Sequence, residues 1–185
     1  MIEAKKKAAR QEPATGINDS YKGNHFTERS AIAHLKALFI QELEWKYPSL
    51  PYYTSPKFTA SKTNGLTKCI IQFLKLNKCQ AERISCEGRI LDQRKTVTNV
   101  CGIVRTIGSI TRVKASATRG TADISATIKG RSVKIEVKNS TTGDRQSEAQ
   151  KHYQKQVEEA GGVYIIATSF PQFLNWYYSN FGGER

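Results

Sequence analysis

Two runs rich in β-branched residues, 122–128 and 131–138, narrow the possible folds of this chain more than any other stretch. Between them lies Lys129-Gly130, a pair suited to a two-residue β-hairpin turn. A hairpin closed at that turn has one register. Ile128 faces Arg131, and stepping outward along both runs brings Asp123 opposite Glu136. Directly opposed residues point to one side of a sheet, as do residues two apart on one strand. Asp123, Glu136 and Lys138 therefore share a face, while Ile124, Ile128, Val133, Ile135 and Val137 take the other. A slip of one residue would turn Asp123 away from Glu136 and break the pattern.

A carboxylate opposite a carboxylate costs energy in a sheet. A divalent cation between them removes the repulsion, and hard oxygen donors are what Mg²⁺ takes. Lys138, two residues along the same face, would reach the same point and orient or deprotonate a water there. Two acids and a lysine in this relation suit phosphodiester hydrolysis. Glu136-Val137-Lys138 alone reads as a solvated strand face; the upstream aspartate, the strand context and Gly120 together turn the reading toward a site.

The segments G-x-A-D-I at 120–124, I-E-V-K at 135–138 and D-R-Q-S-x-x-Q at 144–150 resemble the PD-(D/E)xK nuclease superfamily, and within it the VRR-NUC family. The likeness spans residues 63 to about 169. It implies a restriction-endonuclease-like αβββαβ core, α/β in class. By the same likeness Asp123, Glu136 and the backbone carbonyl of Val137 hold Mg²⁺ (or Mn²⁺), Lys138 serves the nucleophile, and Gln150 is the motif's glutamine. The proline usual before the aspartate is Ala122 here, and no acid on the first helix matches the family's additional one. The expected activity is metal-dependent cleavage of nucleic acid, with DNA favoured over RNA. The alternative is a module that keeps the fold and binds without cutting.

Charge points to the same class of partner. The net charge is +13, and residues 63–122 hold eleven basic against three acidic side chains. Such a concentration just ahead of the acidic pair suits a polyanion. Arg94, Lys95, Arg105, Arg112, Lys114 and Arg119 recur through 93–118 and its edge, among short β-prone runs broken by glycine. That stretch reads either as an inserted basic hairpin making phosphate contacts or as a plain edge hairpin with solvated cations. Cys69, Cys79, Cys86 and Cys101 follow no zinc spacing, so free thiols in a reducing cytoplasm are expected. Neither a signal peptide nor a membrane span is predicted.

The remaining order follows from helical and strand periodicity. Residues 1–62 divide into a polar tail to 26, a helix over 27–46 and a linker from Pro48; 63–185 form the main domain, with 93–118 inserted. Thr27 caps the first helix, whose stripe of Ile32, Leu35, Phe39 and Leu43 requires a partner in its own domain, in a second copy or in another subunit. A second helix, near 64–78, is capped by Asn64 or Thr63 and sets Leu66, Cys69, Ile70, Phe73 and Leu76 on one side. Strand-like sequence runs from Glu82 to Ile90. Ser147 and Gln150 form a capping box for a helix that buries Ala149, Tyr153, Val157 and Ala160 and ends at Gly161-Gly162. Val163–Ala167 reads as a parallel, central strand. Ser169 and Pro171 open a last helix that lays Phe173, Trp176 and Tyr177 over the core.

Overall fold

The turn at 129–130 forms as its sequence dictates. In a computed structural model that describes residues 25–84, 88–113, 118–138 and 145–182, Lys129 and Gly130 both take positive φ, 47° and 81°. That is the left-handed twist a two-residue type I′ turn needs. Strands β6 (Ile124–Ile128) and β7 (Arg131–Val137) pair from Ile128↔Arg131 to Ile124↔Ile135, the register expected. On one face Ile124, Ala126, Ile128, Val133 and Ile135 are buried.

Strand β1 (Gln80–Arg83) adds to β6 antiparallel, and β8 (Val163–Ala167) adds to β7 parallel. The sheet runs β1-β6-β7-β8. β8 is parallel, as expected, but lies at the edge rather than the centre of the described sheet. Its apolar run is accounted for by helices on both sides, α3 (Glu148–Glu159) and α4 (Phe170–Phe181), each of which packs on it. An edge strand covered on both faces reads in sequence like a central one.

The apolar face of the sheet packs on α2 (Thr63–Leu76) and α4. Phe73 lies at the middle of this core, ringed by Phe170, Phe173, Tyr177 and Tyr178 with centroids 5.0–6.2 Å away. Helix α2 buries Leu66, Cys69, Ile70 and Phe73 as expected, with Thr67 and Leu74 in place of Leu76. Its N-cap is Lys62, with no side-chain capping bond, and Asn64 instead accepts a 2.9 Å hydrogen bond from Arg83.

Helix α1 (Glu28–Lys46) is capped by Thr27 and finds its apolar partner in the same chain, against α2 and α4. Its buried residues are Ala31, His34, Leu35 and Leu38. Of the expected stripe only Leu35 is fully buried; Ile32, Phe39 and Leu43 lie half-buried on the flank. The helix is rolled because His34 goes inward, its Nε2 2.7 Å from the Tyr178 hydroxyl. Phe58, from the stretch read as a linker, packs edge-on against Phe39. No described helix is long and apolar enough to cross a membrane.

Helix α3 departs from expectation. It lies on the polar face of the sheet, and none of its residues is fully buried: Ala149, Tyr153 and Val157 are half-covered and Ala160 is exposed. Its periodicity is amphipathic, but the face it covers is itself polar at Ser125, Ser132 and Lys134. The carboxyl end is as read from Gly161-Gly162. Gly161, at φ 78°, and Gly162 return their N–H groups to Glu158 and Val157 in a Schellman motif.

The expected strand from Glu82 to Ile90 is two elements. β1 ends at Arg83, and β2 (Arg89–Asp92) belongs elsewhere. β2 pairs with β5 (Ile110–Val113), and β3 (Lys95–Thr98) with β4 (Val104–Ile107). The two pairs share one register, and a 3.0 Å bond from the Gln93 N–H to Ser109 O bridges them. Residues 89–113 thus form one antiparallel ribbon turning at 99–103. Apart from one another, its strands make no substantial contact with any described helix or with the four-stranded sheet.

Candidate functional site

The polar face of the β6–β7 hairpin ends at the acidic pair. Asp123 lies one residue before the last ladder pair, Ile124↔Ile135, and is held to β1 by a 2.8 Å bond from the Ile84 N–H to its carbonyl. Its Oδ2 accepts the Val137 N–H at 2.9 Å, which ties the carboxylate across to β7. Glu136, on β7 opposite Asp123 by this register, is almost enclosed, with its side chain 4% exposed. Lys138 Nζ sits 3.3 Å from Glu136 Oε1 and is itself only 11% exposed. Lys138 is fixed by its own N–H, which donates to Ala167 O at 3.0 Å.

Gln150 belongs to the same cluster. Its Oε1 accepts the Ser147 N–H at 2.9 Å, closing the capping box of α3, while its Nε2 donates to Glu136 Oε1 at 2.5 Å. One side chain therefore closes the helix and holds the buried carboxylate. The capping reading of this glutamine holds, and the same side chain also reaches Glu136.

Of these groups Asp123 and Gln150 border an open pocket of about 670 Å³, lined also by Arg83, Arg119 and the 119–121 turn; Glu136 and Lys138 do not line it. Gly120 makes the turn possible, with φ +84° and a Cβ position that would lie 2.3 Å from Ala149 O. Close approach of that turn to the first residues of α3 brings Asp123 and Gln150 to one wall. Arg83 is a pocket residue that sequence reasoning missed, since nothing in a short, polar β1 marks which side chain turns inward. Tyr164, on β8 beside Lys134 and 6.4 Å from Tyr153, was also missed. Burial, and then the nearby charge of Glu136, push its hydroxyl up to about 12, so it stays protonated at neutral pH.

The residues expected to meet nucleic acid divide into three groups. Arg94, Lys95, Arg105 and Arg112 lie on the ribbon, and Arg119 lies in the pocket wall. Lys114 lies outside the described residues. Arg94 is engaged locally, with Nε and Nη2 at 2.9 and 2.7 Å from the two oxygens of Asp92.

Among the described residues no group of three or more His, Cys, Asp or Glu side chains could hold a metal. Asp123 and Glu136 nonetheless offer the hard carboxylate oxygens that Mg²⁺ takes, an ion that keeps several of its waters and binds through one or two carboxylates. Cys69, Cys79 and Cys101 are free thiols, and burial pushes Cys69 up to about 11, away from reactive thiolate chemistry. Comparison with protein-family models, with curated proteins and with solved structures finds no match.

Proposed function

We propose that the chain is a metal-dependent nuclease that hydrolyses phosphodiester bonds in nucleic acid, with a restriction-endonuclease-like core of the VRR-NUC kind. The observation that carries this reading is the cluster of Asp123, Glu136, Lys138 and Gln150, brought together by the hairpin register and the start of α3 beside a pocket edged by Arg83 and Arg119. The element order α2, β1, β6, β7, α3, β8 is also the one that family resemblance implies.

Asp123, Glu136 and the Val137 carbonyl would hold Mg²⁺, or Mn²⁺, which supplies charge neutralisation at a phosphoryl oxygen and acidifies water. Gln150 keeps Glu136 oriented through its 2.5 Å bond. Lys138 positions the attacking water and steadies the charge that develops there. Arg119 and Arg83 face the pocket where the polyanion backbone would lie.

A module that binds nucleic acid without cutting is the second reading. The nearly buried Lys138–Glu136 pair favours it, because such a pair satisfies both charges without a metal. The test is a panel of linear, branched and single-stranded DNA and RNA, incubated with Mg²⁺, with Mn²⁺ or with EDTA. Wild type should cut at least one substrate in a divalent metal and none in EDTA. Asp123→Asn should abolish cleavage, and Lys138→Arg, which keeps the positive charge but replaces the amine by a guanidinium that does not give up its proton, should slow it by ~10²-fold with affinity little changed. Absence of wild-type cleavage on every substrate and metal would hand the assignment to the binding module.

A further inference from the structure

The ribbon 89–113 is built against the ordinary logic of a folded surface. All of β3, β4 and β5 is exposed, and in β2 only Leu91 is half-covered. Eight of the eleven large apolar side chains exposed in the described chain lie on it. Val100 at the tip is fully exposed, and Ile90, Val104 and Ile107 are each more than half exposed. A two-stranded ribbon with no packed face is marginal alone in water, so its extension implies a partner that completes it.

Charge identifies the partner. Asp92 is the ribbon's one carboxylate, and Arg94 already engages it. Arg89, Lys95, Arg105 and Arg112 add four further cations over its length. The pairs Lys95↔Ile107 and Val97↔Arg105 put Lys95 and Arg105 on one face, while Ile90↔Arg112 puts Arg112 on the other. Cations on both faces suit a partner that flanks the ribbon on two sides, as the two walls of a nucleic-acid groove do.

Dimensions narrow it again. At roughly 3.3 Å per residue the arm from 89 to 98 is about 30 Å long, close to one turn of B-form DNA. The B-form major groove is about 12 Å wide and admits a two-stranded ribbon, whereas the A-form RNA major groove is too narrow for side chains to enter. In sequence the ribbon lies between Ile84 and Arg119, two residues of the pocket wall, so short connections at both ends tether it to the pocket.

We infer that the ribbon is an arm that lies in the major groove of double-stranded DNA and presents the adjoining backbone to the pocket. This rests on the nucleic-acid reading above and makes B-form duplex the substrate class. A second copy of the chain is the competing occupant; the net positive charge of the ribbon disfavours pairing it with itself.

The experiment measures binding in EDTA, so that it does not depend on cleavage. Wild type, the triple variant Lys95→Gln/Arg105→Gln/Arg112→Gln and the tip variant Val100→Asp are titrated onto a 30-base-pair DNA duplex, the matching RNA duplex and either DNA strand alone. All three altered cations and the tip are on exposed surface, and thermal melts confirm that the body stays folded. Wild type should prefer the DNA duplex at least tenfold and protect guanine N7, in the major groove, from methylation. The triple variant should bind at least tenfold more weakly at 0.15 M salt, with a salt slope lower by about 0.9 for each lost phosphate contact. Val100→Asp should weaken duplex binding and shorten the protected tract.

Equal affinity for the RNA duplex or a single strand would overturn the inference, as would protection confined to adenine N3 in the minor groove. So would duplex affinity unchanged in both variants. Self-association that Val100→Asp abolishes, with DNA affinity intact, would assign the ribbon to a second copy. If the ribbon binds as stated while wild type cuts nothing, the nuclease reading alone fails. If wild type cuts and the ribbon variants bind and cut normally, the arm alone fails.

Discussion

At the residue scale, the cluster is organised by Gln150 as much as by the acids. Its amide links the first turn of α3 to Glu136, so a substitution there acts on the helix cap and on the buried carboxylate together. Gln150→Ala removes half of a capping box and a donor to a buried carboxylate, a combined loss of about 1–3 kcal/mol. Gln150→Glu still accepts the Ser147 N–H but sets a second carboxylate against buried Glu136 in place of a donor, so it keeps the cap and adds like-charge repulsion. Urea unfolding and cleavage assays on both variants are the check. Both should cleave less than wild type, and the stability that Gln150→Glu loses should return as acid neutralises the added carboxylate, whereas that lost by Gln150→Ala should not. A Gln150→Glu variant with full activity would reduce this glutamine to a helix cap. The capping box was legible from S-x-x-Q alone. The bond to Glu136 was not, because fourteen residues separate the partners and only the packing of α3 on the sheet closes that distance.

At the element scale, the site depends on how closely the 119–121 turn meets α3. Gly120 holds a positive φ and leaves no space for a Cβ beside Ala149 O. Gly130 also holds a positive φ, but open space surrounds it. Gly130→Ala should therefore cost only the left-handed conformation, about 1–2 kcal/mol. Gly120→Ala adds a backbone clash and should cost about 2–4 kcal/mol, with cleavage reduced further because Asp123 and Gln150 move apart. Thermal melts of the two variants, read beside cleavage rates, check the ranking; equal melts would mean that the turn and α3 yield without cost. Element existence was readable for the four helices, the central hairpin and β8, whereas β1 and β2 were read as one strand. The hairpin register came from a turn dipeptide and parity, and the caps at Thr27, Ser147 and Ser169 came from short-range chemistry. The partners of elements were less readable: β2 follows β1 in sequence yet pairs with β5, and β8 borders the sheet.

At the scale of the whole molecule, α1 is part of the core. Leu35, Ala31 and Phe26 belong to the same apolar cluster as Phe73, and His34 lies between Phe26, Phe73 and Tyr178. Burial lowers the His34 pKa from 6.5 to about 4. The unfolded chain then takes up a proton that the folded chain refuses as pH falls below 6.5, so stability declines from there toward pH 4 and flattens below it. At pH 5 the loss from this one group is about 2 kcal/mol relative to pH 7.5. Urea unfolding of wild type and His34→Phe at the two pH values tests it. The variant, lacking the titrating group, should lose less stability on acidification, whereas identical losses would mean that the ring accepts its proton in place.

Local chemistry in the sequence determined what lies within a strand pair or a helical turn: the type I′ turn, the face shared by Asp123, Glu136 and Lys138, the helix caps, and the basic character of the insert. Those features need only neighbours in the chain or a partner across one tight turn, so periodicity and turn residues suffice to find them. Tertiary packing decided the rest. The roll of α1 that tucks His34 inward, the half-covered seat of α3, the edge position of β8, and Arg83 beside Asp123 each depend on which surfaces meet over long separations. That choice is set by the fit of whole faces, to which each residue contributes a small share, and no single side chain announces it.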